Sequence, residues 1–150
     1  MLRIPITALI ASIATSFSFS TNAAAECQGS QNLPSQQLFV DFLPNSHEAS
    51  ESDKARIRRW VSATNSRYPI QNWIDIIGSA SKNENAPDQL ATKRASAVAK
   101  VVIDDGLINA PFQIKTQIYP TNSVTEPASE TRAVTVQVSP GCTNNCCAGH

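Results

Sequence analysis

The spacing of hydrophobic positions changes from one segment of the chain to the next. Residues 38–44 (LFVDFLP) and residues 73–78 (WIDIIG) are short apolar runs, which predict strands. Residues 112–118 and 131–138 alternate between apolar and polar side chains, which indicates two further strands that each have one polar face. The sheet is therefore predicted to be covered on one side only.

A first helix is predicted over residues 53–67, between the first two strands. Its apolar residues recur every three or four positions, as they do on the buried face of a surface helix. Ser50 is followed three residues later by Asp53, which resembles a capping box and would satisfy free N–H groups at the helix start.

A second helix is predicted over residues 88–102, and its apolar face contains a charged residue. Pro87 suits the first helical turn, Asn85 is the predicted N-cap, and Gly106 is the predicted stop. On a helical wheel Arg94 falls inside the apolar arc. It also lies early in the helix, where the helix dipole disfavours a cation. This position predicts that an anion accompanies Arg94.

The predicted order of elements is β-α-β-α-β-β. Two βαβ crossovers followed by a closing strand give an α/β fold, a two-layer sandwich. The 150-residue chain is long enough for one domain with its own core. We place that domain at residues 38–140, after a polar linker at residues 26–37.

Residues 1–25 have the pattern of a secretory signal peptide. Arg3 precedes an apolar run of about 16 residues, and small residues then lead to a cleavage site after Ala25. The run is shorter than the ~20 residues that span a bilayer. No other segment is long and apolar enough to cross a membrane, so the mature chain is predicted to be secreted and soluble.

Four cysteines bracket the predicted domain, and three of them lie in a Cys-rich tail, residues 141–150. In an oxidising compartment an even number of cysteines indicates disulfides. A bridge between adjacent cysteines is strained, so the first cysteine is expected to pair with one tail cysteine while the other two close a small loop. The alternative is a metal site that includes His150, although its spacing is not a standard zinc pattern. The four cysteines are Cys27, Cys142, Cys146 and Cys147.

The composition offers little support for catalysis or for nucleic-acid binding. Twelve basic residues balance twelve acidic residues, and no basic stripe with interleaved aromatics is present. The chain has two histidines, and its cysteines are confined to the ends, so no Ser-His-Asp or Cys-His set can be assembled. We expect neither an enzyme nor a cofactor, and we expect no resident metal.

The segment IDIIGSASKNENAPDQLATKRASAVAKVVIDDGL, together with the order of elements, resembles the OmpA-like C-terminal domain. In that family the second strand ends in glycine, a loop carries an aspartate, and the next helix follows a Leu-x-x-x-Arg-Ala-x-x-Val pattern. A late signature, Asn-Arg-Arg-Val, is echoed by Thr-Arg-Ala-Val. The resemblance covers roughly residues 38–138. The matching positions are Gly78, Leu90, Arg94, Ala95, Val98, Arg132 and Val134.

The resemblance implies non-covalent binding of peptidoglycan. The helix arginine and the loop aspartate of the family grip the diaminopimelate of the stem peptide. A guanidinium can hold a carboxylate through paired hydrogen bonds, and an aspartate can hold an ammonium. Arg94 is the candidate for the first role. Two other interpretations stay open: Arg94 pairs with an internal carboxylate such as Asp75 or Asp41, or only its stem is buried.

The chain departs from the family pattern in the loop before the helix. Ser81 stands where the family has its aspartate, and Pro87, Ala91 and Ala133 replace three further motif residues. Glu84 or Asp88 could supply the missing charge from another position. The candidate peptidoglycan-binding residues are Arg94, Ser81, Arg132, Glu84 and Asp88.

The expected function is that of a periplasmic OmpA-like domain in a Gram-negative cell envelope, associated with the cell wall or outer membrane. It would bind peptidoglycan stem peptide and help to tether or organise the envelope. The alternative is a structural or protein-interaction module of an envelope complex that has lost peptidoglycan binding. A third hypothesis is a small thiol or metal protein that works through the Cys-rich tail.

Overall fold

The computed structural model describes residue 27 and residues 29–120 and 130–147. The predicted signal peptide and His150 lie outside these residues. In the described part of the chain, a four-stranded sheet carries two α-helices on one face, and neither helix is long and apolar enough to cross a membrane.

The strands are β1 (Gln36–Asp41), β2 (Gln71–Ser81), β3 (Phe112–Tyr119) and β4 (Ala133–Pro140), and they lie in the order β1-β4-β2-β3. β2 and β3 pair in parallel, whereas β4 runs antiparallel to both of its neighbours. The predicted two-layer α/β sandwich and its β-α-β-α-β-β order are confirmed.

The helices are α1 (Glu51–Arg67) and α2 (Pro87–Asp104). Ser50 caps α1 as predicted, and its hydroxyl accepts a hydrogen bond from the backbone N–H of Asp53 at 3.1 Å. The predicted cap of α2 is wrong by one residue. Ala86 is the N-cap, with a left-handed φ of 45° and no side-chain cap hydrogen bond, and Pro87 follows in the first turn.

The core lies between the helices and one face of the sheet. Alternate residues of β4, Val134, Val136 and Val138, are fully buried there, as are Ile74 and Ile76 of β2. Both helices pack on this face, and two of the polar residues of β4 that point to the other face are half-buried.

β2 continues three residues beyond Gly78, where the sequence pattern predicted its end. Gly78 does not end the strand, and a glycine is required there because α2 packs very close to the backbone of β2. A Cβ atom at Gly78 would overlap the backbone carbonyl oxygen of Ala91 and would lie 2.8 Å from the Cβ of Ala95. Glycine therefore lets α2 pack directly on the middle of β2.

One of two disulfides joins the beginning of the described chain to its end, and the other closes a small loop within the Cys-rich tail. Cys27 pairs with Cys146 and Cys142 pairs with Cys147, which fits the predicted arrangement of one long-range bridge and one small loop. Because both bridges consume the thiols of the tail, the alternative metal site has lost its sulfur ligands. Part of the predicted linker forms isolated antiparallel β-bridges with the Cys-rich tail. One joins Ser30 and Cys147, and the other joins Asn32 and Gly141.

Candidate ligand site around Arg94

Three segments meet around Arg94 at the end of β2. They are residues 42–46 after β1, the loop at residues 82–86, and the first turns of α2. Arg94 is fully buried, with 0% of its surface exposed, and its guanidinium carbon lies 5.5 Å from the centre of the Phe42 ring. The whole charged head is therefore buried, so the interpretation in which only the stem of Arg94 is buried is wrong.

Backbone carbonyl groups hold the guanidinium on three sides. Nε of Arg94 donates to Ser46 O at 2.8 Å, and Nη1 donates to Ser79 O at 2.9 Å. Nη2 donates to Leu43 O at 3.2 Å. These bonds tie α2 to the segment after β1 and to β2, and they use three of the five N–H groups of the guanidinium.

The carboxylate of Glu84 takes the remaining two N–H groups. Nη1 of Arg94 donates to Oε2 of Glu84 at 2.9 Å, and Nη2 donates to Oε1 at 2.6 Å. The pair is bidentate, and only 7% of the Glu84 side chain is exposed. All five N–H groups of Arg94 therefore donate within the chain.

Backbone N–H groups complete the surroundings of the Glu84 carboxylate. Oε1 accepts from the N–H of Asn45 at 2.9 Å, and Oε2 accepts from the N–H of Ser81 at 2.9 Å. Burial alone would raise the pKa of the Glu84 carboxyl. The hydrogen bonds from Arg94, Asn45 and Ser81 outweigh that effect and lower the pKa from its ordinary value of 4.5 to about 2.

The loop at residues 82–86 is folded so that Glu84 points inward. The backbone N–H of Glu84 donates to Ser81 O at 2.9 Å, which forms a tight turn. The N–H of Lys82 donates to Tyr119 O at 2.9 Å, and the N–H of Asn85 donates to Oδ1 of Asn45 at 2.8 Å. The loop is thus attached to β3 on one side and to the segment after β1 on the other.

The internal carboxylate next to Arg94 is Glu84, and the two partners named from the sequence are wrong. Asp75 lies in β2 and pairs instead with Nζ of Lys115 at 2.9 Å. Asp41 is exposed on β1. The signal for Glu84 was its acidic side chain in the loop before the second helix, but only the direction of the turn decides where that side chain points.

The structure brings three of the five candidate residues into direct contact: Arg94, Glu84 and Ser81. The hydroxyl of Ser81 accepts from the N–H of Asn83 at 3.4 Å, so it belongs to the turn. Arg132 lies half-buried in a 3₁₀ turn before β4, and its Nε donates to Phe42 O at 3.4 Å. Asp88 is exposed in the first turn of α2.

A polar groove of about 200 Å³ opens beside the buried pair. Side-chain amides, a lysine and a histidine line it, which suits a polar ligand better than an apolar one. Across the described residues, no group of three or more His, Cys, Asp or Glu side chains is placed to hold a metal ion. The lining residues are Asn45, His47, Asn85, Ala86, Gln89, Leu90 and Lys93.

The sheet order and the two helices on one face are those of the OmpA-like fold. Solved structures of that class superimpose on the chain. One is the OmpA-like domain of FopA1 from Francisella tularensis, with 21% identity, a TM-score of 0.52, and coverage of 71% of this chain and 73% of the other.

Two further structures show the same fold. The periplasmic domain of MotB from Helicobacter pylori has 17% identity and a TM-score of 0.56, and the match covers 73% of this chain and 75% of that one. The peptidoglycan-associated lipoprotein from Burkholderia pseudomallei has 19% identity and a TM-score of 0.51, with 67% and 87% covered. The sequence matches no protein-family model, and no curated protein matches it significantly.

Proposed function

We propose that this chain is a non-catalytic OmpA-like domain of a Gram-negative cell envelope, acting as a structural or protein-interaction module. In this proposal Arg94 holds the domain together and does not hold a peptidoglycan stem peptide. The observation that carries it is the saturation of the guanidinium: all five N–H groups donate to Glu84 and to three backbone carbonyl groups.

An external carboxylate would have to displace Glu84 in order to reach Arg94. Uncoupling a buried ion pair leaves an uncompensated charge and costs about 3–5 kcal/mol. The incoming carboxylate would only replace the bonds that Glu84 already makes. Because Glu84 is covalently attached to the chain, it also competes at a high effective concentration. A ligand therefore gains little at Arg94 in the closed arrangement.

The envelope setting rests on separate observations. The chain begins with the pattern of a secretory signal peptide, and its four cysteines form two disulfides, which persist in oxidising compartments such as the bacterial periplasm. Among proteins of the same fold are a periplasmic domain and a peptidoglycan-associated lipoprotein. We therefore propose a periplasmic location, near the cell wall or outer membrane.

The polar groove beside the pair favours a second candidate function, which is binding of the peptidoglycan stem peptide itself. Its amides, together with Lys93 and His47, could contact the peptide. In this candidate Glu84 would leave Arg94 when the ligand arrives, and Arg94 would hold a carboxylate of the peptide. The other binding residues predicted from the sequence are Ser81, Arg132, Glu84 and Asp88.

Co-sedimentation of the wild-type mature protein with purified sacculi separates the two functions. We expect added meso-diaminopimelate to release none of the protein that sediments with the sacculi. The reason is that the guanidinium of Arg94 is already fully hydrogen-bonded within the chain. The peptidoglycan-associated lipoprotein of Burkholderia pseudomallei serves as the positive control.

Release of the wild-type protein by meso-diaminopimelate would contradict the proposal and favour the second candidate. A matched variant, Lys93→Ala, then locates the binding, since Lys93 is exposed on α2 and lines the groove without contributing to the buried pair. Using wild-type protein as the main sample avoids a variant of Arg94, whose loss of binding would be confused with loss of folding.

A further inference from the structure

We propose that the outer edge of β3 pairs with the same strand of a second copy of this chain, in antiparallel orientation, so that the two sheets join into one. This inference rests on the proposed function, an interaction module, and deepens it by naming a partner. Three observations carry it. The outer edge of β3 has no strand partner among the described residues, the side chains along it are exposed, and its residue pattern is self-complementary.

β3 is an edge strand of the sheet. It stands last in the order β1-β4-β2-β3, so among the described strands it pairs with β2 alone. Residues 113–117 are all exposed, and 52% of the surface of Ile114 is accessible although it belongs to a regular strand. Between Pro111 and Pro120 the sequence has no proline, no glycine and one charged residue. An edge of this kind is a template for pairing with another strand.

Two hydrogen bonds show which backbone groups of β3 point outward. On the side of β2, Pro111 O accepts from the N–H of Ile74, and Tyr119 O accepts from the N–H of Lys82, both at 2.9 Å. Along a strand, the N–H and C=O groups of successive residues point alternately to the two edges. The odd-numbered residues of β3 therefore face β2, and the even-numbered residues can pair with a new strand. The even-numbered residues are Phe112, Ile114, Thr116 and Ile118.

Two registers place the even-numbered residues of the two copies opposite each other over most of the strand. In one register the two-fold axis passes beside Lys115, so two lysines lie directly opposite each other, which destabilises the pairing. In the other register the axis passes beside Thr116. Ile114 then lies opposite the partner's Ile118, and Lys115 lies opposite the partner's Gln117. Because this register avoids the opposed lysines, we assign the axis to Thr116.

The assigned register also covers apolar surface. Ile114 lies beside Ile76 of β2, and Ile76 is fully buried under the helices, so Ile114 points to the helix-bearing face. The partner's Ile118 would lie against the exposed part of Ile114 on that face. A two-fold axis repeats this cross-strand contact on both sides, and such apolar pairs are the contacts that stabilise antiparallel strands.

The single charged side chain of β3 does not obstruct the edge. Lysine on an edge strand opposes association when its charge occupies the space that a new strand would take. Nζ of Lys115 instead pairs with Oδ1 of Asp75 at 2.9 Å, and Asp75 lies on β2. The side chain of Lys115 is therefore directed back over its own sheet, and its charge is compensated there.

Sedimentation equilibrium of the wild-type mature protein at pH 7 tests the dimer. Because strand addition alone forms a small interface, we expect a dissociation constant on the order of 100 µM, which requires samples up to about 1 mM. Thr116→Lys places two positive charges opposite each other at the axis and should raise the dissociation constant about fivefold or more. Thr116→Glu should act in the same way. An equimolar mixture of the two variants should form a heterodimer, because opposite charges then face each other.

Two controls separate pairing through β3 from other causes. Gln37→Lys adds the same charge at an exposed position of β1, the other edge strand, and should dimerise like wild type. Because Thr116 is exposed, we expect its two variants to keep the circular dichroism spectrum and the Tm of wild type. Loss of the dimer then reports on the interface and not on folding.

A wild-type protein that stays monomeric at about 1 mM would overturn the proposal, and so would equal dimerisation of wild type and Thr116→Lys. Equal weakening of the dimer by Gln37→Lys and Thr116→Lys would also overturn it, as would a mixture of the two Thr116 variants that forms no heterodimer. These measurements involve neither sacculi nor Arg94. Failure of the dimer is therefore distinguishable from failure of the proposed function, which the release of wild-type protein by meso-diaminopimelate would reveal.

Discussion

Arg94 is a buried cation whose charge and hydrogen-bonding capacity are both satisfied inside the chain. The sequence predicted that it needs an anion, because it lies on the apolar face of a helix and near the helix start. It did not single out which anion. Glu84 reaches Arg94 only because residues 82–86 turn inward, and that turn depends on hydrogen bonds to Tyr119 and Asn45, which are distant in the sequence.

The low pKa of Glu84 links the buried pair to acid stability. Its pKa is about 2 in the folded chain, against an ordinary value of 4.5. Because the folded value is the lower one, the ionised carboxylate stabilises the fold fully above about pH 4.5, and this contribution is lost as the pH falls towards 2. The contribution is on the order of 3 kcal/mol.

The Glu84→Gln variant should lack this acid-sensitive contribution. We expect wild type to be more stable than the variant at pH 7, and the difference in unfolding free energy to shrink between pH 4.5 and pH 2. Denaturant unfolding of both proteins over this pH range measures the difference in unfolding free energy. A difference that is constant with pH would contradict the assigned pKa and the role of Glu84.

At the scale of elements, the contact between β2 and α2 positions the site. Gly78 lies where α2 packs directly on β2, since an added Cβ would overlap the backbone of Ala91. This close approach sets the distance from the sheet to the second turn of α2. It thereby places Arg94 within hydrogen-bonding distance of Ser79 O, one residue further along β2.

Gly78→Ala should therefore destabilise the domain by about 1–3 kcal/mol or more, because the helix would have to move away from the strand. Ser96→Ala, at an exposed position of the same helix, should change stability by less than about 0.5 kcal/mol. Chemical denaturation of the two variants checks this. Equal stability of Gly78→Ala and wild type would show that the contact is not tight.

The element pattern was predictable from the sequence, but the element ends were not. The alternation in β4 and the helical stripes in α1 and α2 are local signals, and the observed elements follow them. β2 extends to Ser81 because it pairs with Tyr119 of β3, which is a long-range contact. The left-handed backbone at Ala86 could not be predicted either, because alanine rarely adopts a positive φ.

At the scale of the whole molecule, the two disulfides and the buried ion pair lie at opposite ends of the sheet. Gly141, next to Cys142, bonds to the backbone just before β2 begins, whereas Arg94 lies beside the end of β2. An 11-residue strand is roughly 30 Å long. The disulfide between Cys27 and Cys146 therefore joins the two terminal segments of the described chain far from the site, and neither described disulfide lies beside Arg94.

The fold class and the disulfide arrangement could be predicted because they depend on periodicity and on a small number of possible pairings. The candidate site could be predicted only in part. Arg94, Glu84 and Ser81 do lie together, but the sequence left open whether Arg94 binds an external ligand or an internal carboxylate. Their mutual hydrogen bonds depend on a loop conformation that no local pattern in the sequence specifies.

The most direct test of the role of Arg94 is an NMR titration of ¹⁵N-labelled wild-type protein with meso-diaminopimelate, following the Nε–H signal of the Arg94 side chain. We expect a signal that is slow to exchange with solvent, since Arg94 is fully buried and bonded to Ser46 O. We expect no shift at millimolar ligand. A saturable shift of this signal would contradict the internal role of Arg94 and would show that a ligand replaces Glu84.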